Sequence, residues 1–316
     1  MERDQELYKL GRRVLESVAQ AIIGKDNEIL RVFLVILARG HLLLEDLPGV
    51  GKTTLALAFS KALDLDYSRM QFTPDVLPSD VVGFSIFNKE TGRMEYKQGA
   101  VICNLFLADE LNRATSRTQS ALLEAMEEGQ VTVDGVSYAL PQPFIVIATQ
   151  NPVGAAGTQL LPDSQVDRFM IRLSLGYLDQ DNEVLLLERK QLANLLDQVT
   201  PVLGCEELEQ MRTEVDRVHI HRDLLQYIVA LVFATRNHPD IRLGASPRAS
   251  IALVALSKAL AYLEGRDYVT PDDIAQLFVD TLSHRLILKL GIENTRGTCE
   301  SILNGILNTV PTPSIG

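Results

Sequence analysis

Hydrophobic positions recur along the chain in two rhythms, and the change between them divides it. Residues 4–20 place Leu7, Leu10, Val14, Leu15 and Val18 at helical spacing, and Asp26–Arg39 reads as a second helix. Short apolar runs follow at His41–Leu44, Val101–Ala108, Phe144–Ala148 and Phe169–Leu175, with a weaker one at 67–72. Unbroken apolar runs of this length fit parallel strands covered on both faces. Between them lie a helix at 52–63, an amphipathic helix at 116–128 with Leu122, Leu123 and Met126 on one side, and two alternating hairpins. The hairpins span 84–97, around Lys89-Glu90-Thr91-Gly92, and 131–140, around Asp134-Gly135. From Asp179 no strand is evident, and helical runs occupy 180–196, 205–217, 221–236, 248–264 and 271–290. The pattern predicts an α/β core at 1–177, a linker helix at 178–200 and an all-α domain at 201–316.

Composition narrows the class. Across 316 residues the formal net charge is −11, and 46% of positions are hydrophobic. That charge argues against a dedicated nucleic-acid binder, whose phosphate contacts need clustered Lys and Arg. Cys103, Cys205 and Cys299 are scattered and lack metal-ligand spacing, as in a reduced, cytoplasmic protein. The polar, acidic N-terminus does not read as a signal peptide. The longest apolar run, Val32–Ala38, falls far short of the ~20 residues of a membrane helix, so no membrane insertion is expected. His41, His219, His221, His238 and His284 form no metal-like cluster in sequence.

One stretch carries chemistry on its own. Strand 41–44 runs into Glu45-Asp-Leu-Pro48-Gly49-Val50-Gly51-Lys52-Thr53-Thr54 and then a helix. Strand, glycine-rich turn and helix is the setting of a phosphate-binding loop. Backbone N–H groups of 48–54 would cradle phosphates, Lys52 would reach the β- and γ-phosphates, and the Thr53 hydroxyl would hold Mg²⁺. Asp46 stands where the strict pattern has Gly; Asp is expected to survive there because it tolerates left-handed backbone. A second signature, Leu105–Ala108 followed by Asp109-Glu110, puts two carboxylates at the carboxyl edge of the sheet. Asp109 suits Mg²⁺ coordination through water, and Glu110 suits activation of a water.

With Ala148-Thr-Gln-Asn151-Pro and Gly244-Ala-Ser-Pro-Arg248-Ala, these stretches resemble the motif set of AAA+ ATPases. Leu107-Ala-Asp-Glu-Leu-Asn-Arg-Ala, Gln119-Ser-Ala-Leu-Leu-Glu-Ala-Met-Glu-Glu, Leu161-Pro-Asp-Ser-Gln-Val-Asp-Arg-Phe and Gly265-Arg-Asp-Tyr-Val-Thr-Pro-Asp-Asp resemble the MoxR family nearly word for word, over about residues 15–290. Leu111 and Thr115 depart from it.

The resemblance implies an αβα sandwich with a five-stranded parallel sheet and a helical lid, hydrolysing ATP with Mg²⁺. It makes Asn151 the first sensor, holding the attacking water; as bare sequence it is an Asn before Pro in a turn. It makes Arg168 an arginine finger for the neighbouring subunit; a helix-end Arg paired with Asp163 or Asp167 is the plainer reading. It makes Arg248 a second sensor reaching the γ-phosphate in cis, with the nucleotide between Lys52 and Arg248. Ile22, Ile23 and Gly24 would shelve the adenine, although both isoleucines also suit the core. Arg113 is a weaker candidate for a trans contact. The hairpins match insertions of this branch, the first interrupting a helix; the second has no Lys or Arg at its tip, which weighs against DNA. The implied assembly is a homo-oligomer, a hexameric ring, and the implied partner a protein with a von Willebrand factor A domain. A nucleic-acid motor and an ATP-dependent assembly switch with little turnover remain as alternatives.

Overall fold

A computed structural model of the chain describes residues 4–151, 161–292 and 295–313. The Gly- and Ala-rich loop after Asn151 lies outside the described residues. The chain opens with α1 (Asp4–Ala19) and α2 (Asp26–Leu37), then β1 (Leu42–Glu45), α3 (Lys52–Ala62), β2 (Tyr67–Gln71) and the one-turn α4 (Pro78–Val82). β3 (Gly83–Asn88) and β4 (Arg93–Gln98) form the first hairpin, followed by β5 (Leu105–Asp109) and α5 (Ser116–Glu128). The second hairpin is β6 (Gln130–Val133) with β7 (Val136–Ala139), and β8 (Ile145–Gln150), α6 (Asp163–Val166) and β9 (Ile171–Leu173) complete the α/β part. The helical part contains α7 (Gln180–Leu192), α8 (Cys205–Arg217), α9 (Arg222–Asn237), β10 (Ile241–Leu243), α10 (Pro247–Leu263), α11 (Pro271–Leu282), β11 (Ile287–Leu288) and α12 (Arg296–Thr309).

Five strands make one parallel sheet in the order β2-β5-β8-β1-β9. Successive side chains of a strand face opposite ways, and here both faces are covered. Leu42, Leu44, Leu107 and Ile147 join the cluster under α2 and α3, whereas Leu43, Phe106, Val146 and Ala148 join the one under α5. The first cluster continues without a break into the helical part, through Leu208, Leu231, Leu256, Phe278 and Leu303. α1 bridges the two: a Cβ on Gly11 would come within 2.6 Å of the Leu263 side chain and 3.0 Å of Met211.

The structure departs from the sequence reading where short-range pattern is overruled. β5 starts at Leu105, not Val101, because Asn104 turns the chain; its amide donates to Pro143 O (2.9 Å) and accepts from the Asp66 N–H (3.3 Å). The helical part does contain strands: β10 and β11 pair antiparallel. They are too short to show alternation. The expected helix 271–290 stops at Leu282, where a tight turn at Ser283–Arg285 sends His284 and Arg285 back onto residues 167–170. Beyond it α12 buries Cys299, Leu303 and Ile306.

The first hairpin leaves α4 at Gly83 (φ +96°), where a Cβ would sit 2.3 Å from Lys97 O, and no helix resumes before β5. It therefore replaces the end of that helix and does not interrupt it. The two hairpins meet through stacked Tyr96 and Tyr138, with ring centroids 3.9 Å apart.

Phe59 on α3 and Phe106 on β5 are fully buried on opposite faces of the sheet. Phe59→Ala and Phe106→Ala are each expected to cost about 3–5 kcal/mol of stability in urea unfolding. Because the sheet separates them, the double variant should lose the sum to within about 0.5 kcal/mol.

Candidate active site

The loop between β1 and α3 has the shape a phosphate cradle needs. Gly49 (φ +90°) and Gly51 (φ +101°) take the left-handed region, and an added Cβ at either would meet no atom within 4 Å. Glycine is needed there for conformation, and the loop faces open space. Gly51 caps α3, so the N–H groups of Lys52, Thr53 and Thr54 open the helix and carry its positive dipole end. Pro48 and Gly49 are exposed, and Val50 packs partly on the core. The Lys52 side chain is 8% exposed; its Nζ donates to Asp46 O at 2.8 Å and lies 3.5 Å from Asn151 Oδ1. Burial pulls its pKa down, while Asp46, Asp109 and Glu110 push it back up.

Asp46 corrects one expectation. It is not left-handed, so backbone tolerance does not explain it. Its carboxylate accepts from Ser174 Oγ (2.7 Å), Leu175 N–H and Gly176 N–H (3.1 Å). Three donors just beyond β9 converge on it and tie the loop to the connector that leads to α7.

At the ends of β5 and β8 the acids are held by neighbours. Thr149 Oγ1 donates to Asp109 Oδ1 (2.7 Å) and accepts from the Glu110 N–H (2.8 Å). Arg69 on β2 pairs with Asp109 Oδ2 at 2.6 Å. Glu110 sits in the left-handed region (φ +57°), which turns its side chain across the strand ends. Asn151 Nδ2 donates to one of its oxygens (2.9 Å) and Arg113 to the other (2.6 Å). Arg113 chiefly, and Asn151 with it, hold the Glu110 carboxyl below the usual carboxylate range against the effect of burial. Lys52, Thr53, Asp109, Glu110 and Asn151 thus gather at the carboxyl edge of the sheet.

Arg168 and Arg248 do not join them. Both reach Glu127 in the last turn of α5, Arg168 at 3.2 Å. They line a cavity of about 230 Å³ with Gly40, His41 and Met170, which precede β1 and β9. That is the amino edge, across the sheet from Lys52. The expectation of a nucleotide between Lys52 and Arg248 is therefore corrected. The cause is the docking of the helical part: Ser246, which caps α10, donates to Asp167 (3.0 Å), and Arg285 pairs with the same carboxylate at 2.6 Å. His41 beneath this face is neutral, since burial lowers its pKa to about 4; Nδ1 accepts from Val146 N–H and Nε2 lies 3.1 Å from Met126 O.

Ile22 and Ile23 are buried in the core and also border a cavity of about 510 Å³ with Gly24, Asn182, Leu185 and Arg189. Gly24 (φ +67°) lies against Asn182, and Lys25 donates to Tyr177 O (3.0 Å), next to the Gly176 that binds Asp46. Sequence reading missed Thr149, Arg69, Glu127 and Arg285. Thr149 stood in the quoted Ala-Thr-Gln-Asn run, but only strand register shows its contacts.

The profile described as "ATPase family associated with various cellular activities (AAA)" matches residues 41–171, and that of the AAA lid domain matches 233–304. Chaperone MoxR1 of Mycobacterium tuberculosis is 35% identical over 98% of this chain and 84% of its own length. The chain belongs to the MoxR family of AAA+ ATPases. Protein MoxR of Methylorubrum extorquens is 30% identical over 95% of this chain, and the uncharacterized protein YeaC of Bacillus subtilis 43% identical over 99%. A crystal structure of a candidate ATPase from Cytophaga hutchinsonii superimposes with a TM-score of 0.90 at 39% identity, covering 99% of this chain. The MoxR match spans both the sheet and the helical part. Among the described residues no helix is long and apolar enough to cross a membrane.

Two outcomes test the site as built. Thr149→Val keeps the shape but strands the Glu110 N–H, and should cost about 1–3 kcal/mol in chemical unfolding. Arg113→Ala should raise the Glu110 titration midpoint toward the ordinary carboxylate range, read by ¹³C NMR. A lowered folded-state pKa stabilises above the ordinary value and is lost as pH falls through the lowered one, so this variant should lose its stability difference from the parent chain in acid.

Proposed function

We propose that the chain binds ATP at the carboxyl edge of its sheet and hydrolyses it, and that the cycle drives chaperone-like remodelling or maturation of a protein partner. The observation that carries this reading is the open phosphate cradle facing a carboxylate pair locked in register beside Asn151. Lys52 and the loop N–H groups would bind the β- and γ-phosphates. Thr53 and Asp109 would hold Mg²⁺, which supplies neutralisation of phosphate charge. One hydroxyl and one carboxylate suit Mg²⁺, which keeps waters and takes substrate phosphates. Among the described residues no group of three or more His, Cys, Asp or Glu forms an all-protein metal cage. Glu110 orients the attacking water, steadied by Asn151, and its ion pair with Arg113 must loosen for it to take the proton.

Arg168 and Arg248 lie together on the amino edge, far from their own Lys52. That supports delivery of both to the nucleotide of a neighbouring subunit, where guanidinium groups offset charge that builds on the phosphoryl group. We infer a homo-oligomer, with the hexameric ring implied by the family. Ile22, Ile23 and Gly24 would flank the adenine. A protein partner, one with a von Willebrand factor A domain, fits better than DNA: the first hairpin exposes Phe84, Ile86, Phe87 and Met94, and the tip of the second carries no Lys or Arg. A cytoplasmic location goes with this reading.

The deciding measurement is steady-state ATPase rate against protein concentration, with particle mass alongside. Specific activity should rise as a ring-sized species forms. Arg168→Ala should lower turnover by about 10³-fold or more while ATP still binds, and Glu110→Gln by about 10²–10⁴-fold. Flat activity per subunit with a silent Arg168→Ala would leave a monomeric enzyme; an unchanged rate in Glu110→Gln would remove the assigned base.

A further inference from the structure

The segment that carries Arg168 is gripped by the helical part of the same chain. Arg285 lies in the turn after α11 with its side chain 2% exposed. Its Nε donates to Thr281 O (2.9 Å), fixing the side chain to its own helix. Nη1 donates to Asp167 O (3.0 Å) and Asp167 Oδ1 (2.6 Å), and Nη2 to Phe169 O (2.8 Å), with Met170 O at 3.4 Å. The fork therefore spans the backbone on both sides of residue 168. His284 adds a contact from Nε2 to Phe169 O (3.0 Å). The Asp167 carboxylate also accepts from Ser246, the cap of the helix that bears Arg248. Among the described residues the Arg168 side chain is held at its tip by Glu127 at 3.2 Å, while its buried Nε has no partner. The backbone is fixed by many contacts and the guanidinium by one half-exposed ion pair, which is the arrangement a group offered to an outside ligand requires.

We propose that Arg285 is a positioning residue for hydrolysis: by clamping Asp167 and Phe169 it sets where Arg168 meets the neighbouring subunit's nucleotide, and it makes the lid and the finger move as one piece. This rests on the trans role proposed for Arg168. A Lys at 285 cannot reproduce the clamp, because a point charge on a flexible stem cannot serve four carbonyls and a carboxylate as the guanidinium fork does. Simple adhesion of lid to core would also use a buried contact here, so the test must separate the two.

The defect of Arg285→Lys should appear in the next subunit's site, not its own. Alone, the variant should lose about 10²-fold in kcat, the cost of a roughly 1 Å misplacement, with KM within about twofold because its own ATP pocket is untouched. Mixed with Lys52→Ala it should regain activity above the sum of the parts, because Lys52→Ala subunits bring an intact finger to an intact site. Mixed with Arg168→Ala it should not, since both lack a working finger. Arg168→Ala mixed with Lys52→Ala is the reference. If that pair fails to recover, the trans reading itself falls. If it recovers and the Arg285→Lys mixture stays dead, or if Arg285→Lys raises KM at unchanged kcat, the positioning role is wrong. Should Arg285→Lys not fold, Asp167→Asn removes the charge that Arg285 grips, and the same two mixtures decide.

Discussion

The site depends on one register. β5 and β8 pair in parallel with Ala108 beside Ala148, so Asp109 and Thr149 emerge at the same level of the sheet edge. β1 pairs with the other side of β8, with Leu44 opposite Thr149, which brings the phosphate loop out beside them. A slip of one residue would turn each side chain to the opposite face. Apolar matching on both faces forbids it, because Phe106 and Leu107 belong to different clusters. The hydrophobic core thereby sets the distances of the polar site, and Leu175 joins the two directly, its side chain in the core and its N–H on Asp46.

The same sheet separates two kinds of chemistry. Its carboxyl edge gathers the glycine-rich loop at the start of α3, a buried Lys and two acids. Its amino edge gathers Arg168, Arg248 and Arg285 around Glu127 and Asp167. Within one chain the length of the strands lies between the two groups, which is why the proposed use of Arg168 and Arg248 is in a neighbouring subunit. Contacts that join unlike faces run head to tail, and such contacts close into rings or continue into filaments. The strand register of β9 sets Arg168 at the amino edge, and the docking of the helical part brings Arg248 and Arg285 to join it.

Local signals were legible in the sequence. Most helices followed their spacing, although 271–290 ended early at Leu282 and α12 gave no sign of itself, and the loop at 46–54 and the pair Asp109-Glu110 declared themselves by residue type at a strand end. Contacts that join distant parts of the chain were not. Thr149 reaches Asp109 across 40 positions, and Arg285 reaches Asp167 across 118. Neither pairing leaves a periodic trace. Arg248 was recognisable as a motif residue, yet its surroundings are decided by where Ser246 and Arg285 dock, so its expected place over its own nucleotide was the reading most exposed to error. β10 and β11 escaped because two or three residues cannot display alternation.

The carboxylate at position 46 has an evolutionary consequence. In a generic loop of this kind glycine is the permissive residue, and drift toward it would look harmless. Here three donors of the connector at 174–176 converge on the Asp46 oxygens. Asn offers a single oxygen, Glu moves the charge outward by a methylene, and Gly removes the acceptor entirely. Two of these donors are main-chain N–H groups that persist through most substitutions of the connector, so the constraint falls on position 46 itself, and Ser174 shares it through its side chain.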